Sequence, residues 1–209
     1  MQRGKVRVQR GSGVWTPANI VTMARVALVP LWLLIAELST PQAGSVSWSA
    51  LVVALLYMFI SATDKVDGYL ARSRNEITAF GKFLDPIADK LAVIVALCFL
   101  LETGDVSAWV LLIIIAREFL VSGLRMVVAS EGIVVAASNL GKWKTAVTMV
   151  AICGLLVVRA FPMPLFGFLP LDVISFWALM IAVVLTAWSG IDYFVKCWPY
   201  VAGSTRKKS

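Results

Sequence analysis

Between Asn19 and Trp198 the chain is a succession of six long apolar stretches separated by short polar joints. They run from Asn19 to Leu38, Ser47 to Ser73, Phe83 to Leu101, Ser107 to Ala129, Lys142 to Ala160 and Leu171 to Trp198. A bilayer core about 30 Å thick accepts a helix of roughly 20 apolar residues, because no water is there to satisfy an open backbone. The expected fold is therefore all-α, a polytopic integral membrane protein with six transmembrane helices. Composition argues against a soluble globule: 60% of the 209 residues are apolar and only 15% are charged, against about 25% charged in soluble chains. Cys98, Cys153 and Cys197 lie far apart inside apolar runs, a spacing that supports neither a disulfide framework nor a zinc cluster.

Basic residues set the expected orientation, since short cytosolic loops collect Lys and Arg. Arg3, Lys5, Arg7 and Arg10 precede the first stretch, and Lys65, Arg72, Arg74 and Lys82 surround the joint between the second and third. Arg117, Arg125, Lys142 and Lys144 surround the joint between the fourth and fifth, and Lys196, Arg206, Lys207 and Lys208 close the chain. The alternate joints, 39–46, 102–106 and 159–170, hold only Arg159. Both termini are expected in the cytosol. A cleaved signal peptide at the first stretch is the competing reading; it would leave five spans and place the two ends on opposite faces. The expected division is a basic juxtamembrane segment over 1–15, a six-helix domain over 16–199 and a basic tail over 200–209.

The residues from Asp64 to Lys90 are the costliest in this setting. Asp64 and Asp67 stand three apart and Asp85 and Asp89 four apart, so on helices each pair shares a face, about 60° and 40° round the axis. The joint from Ser73 to Phe80 suits an antiparallel hairpin that brings the two acidic faces together. Four carboxylates side by side in low dielectric repel unless cations join them. Oxygen-only ligands select hard ions such as Mg²⁺, Mn²⁺ or Ca²⁺, and two such ions can clamp a diphosphate. The chain has no histidine, which leaves acid–base work to carboxylates. A plainer reading makes the acids a solvated rim paired with Lys65, Arg72, Lys82 and Lys90.

This stretch resembles the signature of the CDP-alcohol phosphotransferases, Asp-x2-Asp-Gly-x2-Ala-Arg-x8-Gly-x3-Asp-x3-Asp. Asp64, Asp67, Gly68, Ala71, Arg72, Gly81, Asp85 and Asp89 fill every fixed position. The resemblance implies two divalent cations, Mg²⁺ or Mn²⁺, held by Asp64, Asp67, Asp85 and Asp89, with Asp89 also the base toward the acceptor alcohol. It implies that Gly68, Ala71, Arg72 and Gly81 receive the cytidine nucleotide, and that CMP leaves when the acceptor oxygen attacks the lipid-bearing phosphorus. Thr16 to Arg25 is similar to the Pro-Asn-x2-Thr-x2-Arg opening of the bacterial phosphatidylglycerophosphate synthases within that family, although Ala18 separates Pro17 from Asn19. That adds Asn19 and Thr22 to the nucleotide side.

Ala116 to Arg125 and Gly141 to Thr145 are similar to the same branch. Arg117, Arg125, Lys142 and Lys144 stand on the expected cytosolic face and suit an acceptor that carries its own phosphate, with Glu118 orienting an arginine. The implied substrates are CDP-diacylglycerol and glycerol 3-phosphate, with inositol phosphate or phosphatidylglycerol as other acceptors. The implied setting is the lipid of a bacterial-type inner membrane with the active site facing the cytosol, a homodimer, and no nucleic-acid partner. Gly123, Ala136, Ala137 and Gly154 are small enough for close helix contacts. A divalent-cation transporter is the rival from another class; it would place its acids near the bilayer midplane, often within inverted repeats.

Overall fold

A computed structural model describes residues 16–39, 46–73, 79–130, 139–161 and 170–204. They form helices α1 (Pro17–Leu38), α2 (Trp48–Ser73), α3 (Ala79–Glu102), α4 (Ala108–Ser130), α5 (Asn139–Ala160) and α6 (Leu171–Ser204). The expected segment 1–15 and the last residues of the tail, 205–209, lie outside the described residues, as do Ala136 and Ala137.

Local chemistry explains several boundaries. At the start of α1 the Thr16 hydroxyl accepts from the Asn19 backbone N–H at 3.3 Å, and Pro17 occupies the first turn, where its missing donor is not needed. At the end of α3, Gly104 turns into the left-handed region with φ 81°. Its N–H reaches the Leu101 carbonyl at 3.1 Å while the Asp105 N–H reaches that of Leu100 at 2.9 Å, the pair of bonds that satisfies the last carbonyls of a helix. Helices α3 and α5 begin at Ala79 and Asn139, earlier than the apolar stretches, because apolarity marks hydrocarbon contact whereas helical hydrogen bonding continues into polar sequence. Helix α6 continues past Pro199 to Ser204; membrane-type helices tolerate a proline where neighbouring groups relieve the lost bond.

Helix α1 packs on α2 and α3, α2 on α5, α5 on α6 and α6 on α4, and a lighter contact returns from α4 to α3. The order round the bundle is thus α3–α1–α2–α5–α6–α4. One rim holds the start of α2 and the end of α5, tied by Ser47 N–H donating to the Ala160 carbonyl at 2.9 Å. On the same rim Arg159 pairs with Asp105 at 2.5 Å and lies 5.3 Å from the Phe99 ring centroid. The lone cation of the alternate joints is therefore neutralised within the chain. The opposite rim holds the end of α2 and the start of α3, where the motif acids fall.

Trp32 anchors the core: its ring meets Tyr57 of α2 at 5.5 Å and Phe99 of α3 at 5.7 Å, and its indole N–H donates to the Val53 carbonyl at 2.9 Å. Small residues line the contacts between helices, with Ala36, Ala54, Ala96, Ala151 and Ala182 all buried, as in membrane bundles, where backbones approach closely. Gly154 is one of these: a side chain there would collide with Ser175, so it serves the α5–α6 contact within the chain. Apolar side chains cover the outside, including Leu34, Phe59, Leu112, Val150 and Val184, a surface that suits lipid and not water. Exposed tryptophans stand near both rims, Trp48 and Trp109 at one and Trp143 and Trp198 at the other, as in interfacial belts.

Among the described residues, Asn19–Leu38, Trp143–Ala160 and Leu171–Pro199 are long and apolar enough to cross a membrane. The described apolar part of α2 is Trp48–Thr63, and α4 carries Arg117, Glu118 and Arg125 along its length. The three cysteines are free.

Candidate active site

Asp64, Asp67, Gly68, Ala71 and Arg72 occupy the last turns of α2, and Gly81, Asp85 and Asp89 the first turns of α3. The expected helical register, i to i+3 on one helix and i to i+4 on the other, is therefore present in the backbone. Helices α2 and α3 touch, and their acid-bearing ends share a rim. Gly81 is buried. The side chains of the four aspartates, Ala71 and Arg72 lie outside the described residues, as does that of Lys142; among the described side chains no acidic or sulfur cluster has the makings of a metal site. The donor set fits hard divalent ions on its chemistry, all carboxylate oxygen at helical spacing.

Helix α1 brings polar groups to the same rim. Thr16, Asn19, Thr22 and Arg25 recur every three residues along its first half and are all buried, Arg25 to 2% exposure. Since α1 packs on both α2 and α3, this polar stripe belongs to the acid-bearing end of the bundle. Asn19 and Thr22, expected on the nucleotide side, lie in this stripe. Arg25 was legible only as the last letter of the opening motif.

A cavity of about 320 Å³ opens between α3, α4 and α5. Its polar lining includes Lys90, Arg117, Glu118, Ser122, Arg125 and Lys144, and Val93, Ile94, Ile114 and Val121 form its apolar part. Glu118 organises the cations. It pairs with Lys144, with Arg117 at 3.2 Å and with Lys90 at 3.8 Å, while Lys90 also donates to the Ser122 hydroxyl. Burial of Lys144 inside this ring requires such a partner, because an unpaired ammonium in low dielectric is very costly. Arg125 is exposed at the mouth, 5.9 Å from the Tyr193 ring centroid. Arg117 lies two turns deeper along α4, near its middle.

Of the cations expected to hold the acceptor, the structure gathers Arg117, Arg125 and Lys144 around one cavity. Lys90, which the plain-rim reading sets aside for the motif acids, is turned toward Glu118 and Ser122. It immediately follows Asp89 in α3, so the cavity begins one residue from the motif. Four cations against the single carboxylate of Glu118 leave the lining strongly positive, and guanidinium and ammonium groups so arranged match a phosphate dianion.

The sequence model of the CDP-alcohol phosphatidyltransferase family matches residues 15–188. The chain is 42% identical over 190 residues to a CDP-diacylglycerol–glycerol-3-phosphate 3-phosphatidyltransferase of Bacillus subtilis (strain 168), covering 86% of this chain and 94% of that one. An enzyme of the same name from Rickettsia bellii (strain RML369-C) is 40% identical over 182 residues, covering 87% and 95%. A probable phosphatidylglycerophosphate synthase of Mycobacterium tuberculosis (strain ATCC 25618 / H37Rv) is 38% identical over 187 residues, covering 89% and 83%. With the motif complete, the helices in place and a match across most of its length, the chain belongs to the CDP-alcohol phosphatidyltransferase family, transferases of substituted phosphate groups in phospholipid biosynthesis.

Proposed function

We propose that this chain transfers the phosphatidyl group of CDP-diacylglycerol to glycerol 3-phosphate, giving phosphatidylglycerophosphate and CMP. One observation carries the choice of acceptor: the cavity that begins at Lys90, beside Asp89, is lined by Arg117, Arg125 and Lys144. A neutral acceptor such as serine has no use for that much positive charge, whereas a phosphomonoester does. The relatives' names support the same substrate pair.

In this reading Asp64, Asp67, Asp85 and Asp89 hold two divalent ions, Mg²⁺ or Mn²⁺, which supply charge stabilisation to the diphosphate when bound. Asn19, Thr22, Gly68, Ala71, Arg72 and Gly81 receive the cytidine nucleotide, the glycines and alanine by leaving the helix surface bare. Arg117, Arg125, Lys142 and Lys144 hold the acceptor's phosphate, with Lys90 at the inner edge. Asp89 accepts the proton of the acceptor hydroxyl as its oxygen bonds to the lipid-bearing phosphorus. The bond from that phosphorus to the CMP oxygen breaks, so no covalent enzyme intermediate is needed. Six helices crossing a bacterial inner membrane, both termini in the cytosol, a homodimer, and the division into 1–15, 16–199 and 200–209 complete the reading.

The test is CMP release by the purified protein with CDP-diacylglycerol, Mg²⁺ and each acceptor in turn. Release is expected with glycerol 3-phosphate, abolished by chelation and by Asp89→Asn with the fold retained. Release with inositol phosphate or phosphatidylglycerol and none with glycerol 3-phosphate refutes the choice of acceptor, and substantial turnover by Asp89→Asn removes that residue from the base role.

A further inference from the structure

One of the cavity's cations, Arg117, is held from outside the cavity. Arg117 leaves α4 toward α6, where its Nε donates to the Ser189 hydroxyl at 3.2 Å. That hydroxyl is fully buried and donates its own proton to the Thr186 carbonyl at 3.0 Å, so its oxygen is fixed as an acceptor facing the guanidinium. The next residue, Gly190, has its backbone against the arginine stem: a Cβ built there would lie 3.0 Å from Arg117 Cγ and 3.8 Å from its Cβ. On its other side Arg117 Nη1 donates to Glu118 at 3.2 Å. Hence the guanidinium is fixed by groups on two helices, and a fork held in a fixed plane retains more of its hydrogen-bond energy toward a phosphate than a free one does.

We infer that Ser189 and Gly190 of α6 are positioning residues for the acceptor, Ser189 by fixing the Arg117 guanidinium through its hydroxyl and Gly190 by leaving room for the arginine stem. The inference rests on reading the cavity as the acceptor's phosphate site. It gives α6, which contributes no residue to the signature motif or to the cavity lining, a part in acceptor selection.

Initial rates of CMP release, with glycerol 3-phosphate and CDP-diacylglycerol varied separately, test it on the full-length protein. Ser189→Ala and Gly190→Ala are each expected to raise KM for glycerol 3-phosphate on the order of tenfold, with kcat and KM for CDP-diacylglycerol changed by less than about twofold. Arg117→Ala is expected to raise the same KM at least as much, and adding Ser189→Ala to it is expected to change nothing further. A normal acceptor KM in Ser189→Ala beside a raised one in Arg117→Ala overturns the inference alone, as does full additivity of the two or an equal rise in both KM values. A normal acceptor KM in Arg117→Ala overturns the reading of the cavity as well. Should Gly190→Ala not fold, Ser189→Ala decides, since it removes one atom and introduces no clash.

Discussion

Glu118 shows how a single acid organises a cluster of cations. Its carboxylate is 18% exposed and faces Lys144, whose side chain is 7% exposed, along with Arg117 and Lys90. Removing it leaves an ammonium in low dielectric without its counter-charge, at a cost of about 2 kcal/mol in this partly open setting. Glu118→Gln is therefore expected to lower the melting temperature of the detergent-solubilised protein by about 5 °C. Glu118→Leu combined with Lys144→Met is expected to regain most of that loss, because replacing a pair is cheaper than breaking it, yet to bind glycerol 3-phosphate poorly. Thermal melts beside acceptor KM values check both halves, and an unchanged melt for Glu118→Gln refutes the organising role. The helical register of the signature aspartates was readable in advance, because each pair sits within a single helix where spacing sets the face. Lys90 and Ser189 were not: Lys90 follows an acid and reads as its partner, and Ser189 is one small residue in an apolar run. Both acquire meaning only through contacts with α4.

At the scale of elements, the six apolar stretches map one to one onto α1–α6, since long apolar runs parted by short polar joints mark out helices by length. Their ends were less legible, because Ala79, Asn139 and the turn after Pro199 extend helices through polar sequence where apolarity is silent. Nor did Gly154, a candidate for contacts between chains, reveal in sequence that its neighbour is Ser175 of α6. The α3–α4 turn offers a clean test of backbone geometry. Gly104 has φ 81°, and nothing lies within 4 Å of where its Cβ would stand, so Gly104→Ala adds backbone strain without a clash. The expected cost is about 1 kcal/mol, or about 2 to 4 °C in melting temperature, with activity intact. An unchanged melt would mean that the turn relaxes to another conformation.

At the scale of the whole molecule, the order α3–α1–α2–α5–α6–α4 lets sequence-distant segments build one rim from α1, α2, α3, α4 and α5, with α6 bracing α4 from behind. Charge placement predicts that this rim faces the cytosol along with both termini. Reporter fusions before Met1 and after Ser209, one active only in the cytosol and one only outside it, are expected to agree that both ends are inside. Ends on opposite sides would leave an odd number of crossings and refute the six-span reading. The rim away from the motif acids is tied across several helices. Where Ser47 meets Ala160 and Arg159 clasps Asp105, four helix ends are laced together by hydrogen bond and charge. A bundle fastened at this margin behaves there as a bouquet tied at the stems: α2, α3, α4 and α5 share one knot, so a change at Ser47, Arg159 or Asp105 bears on more than one helix end at once.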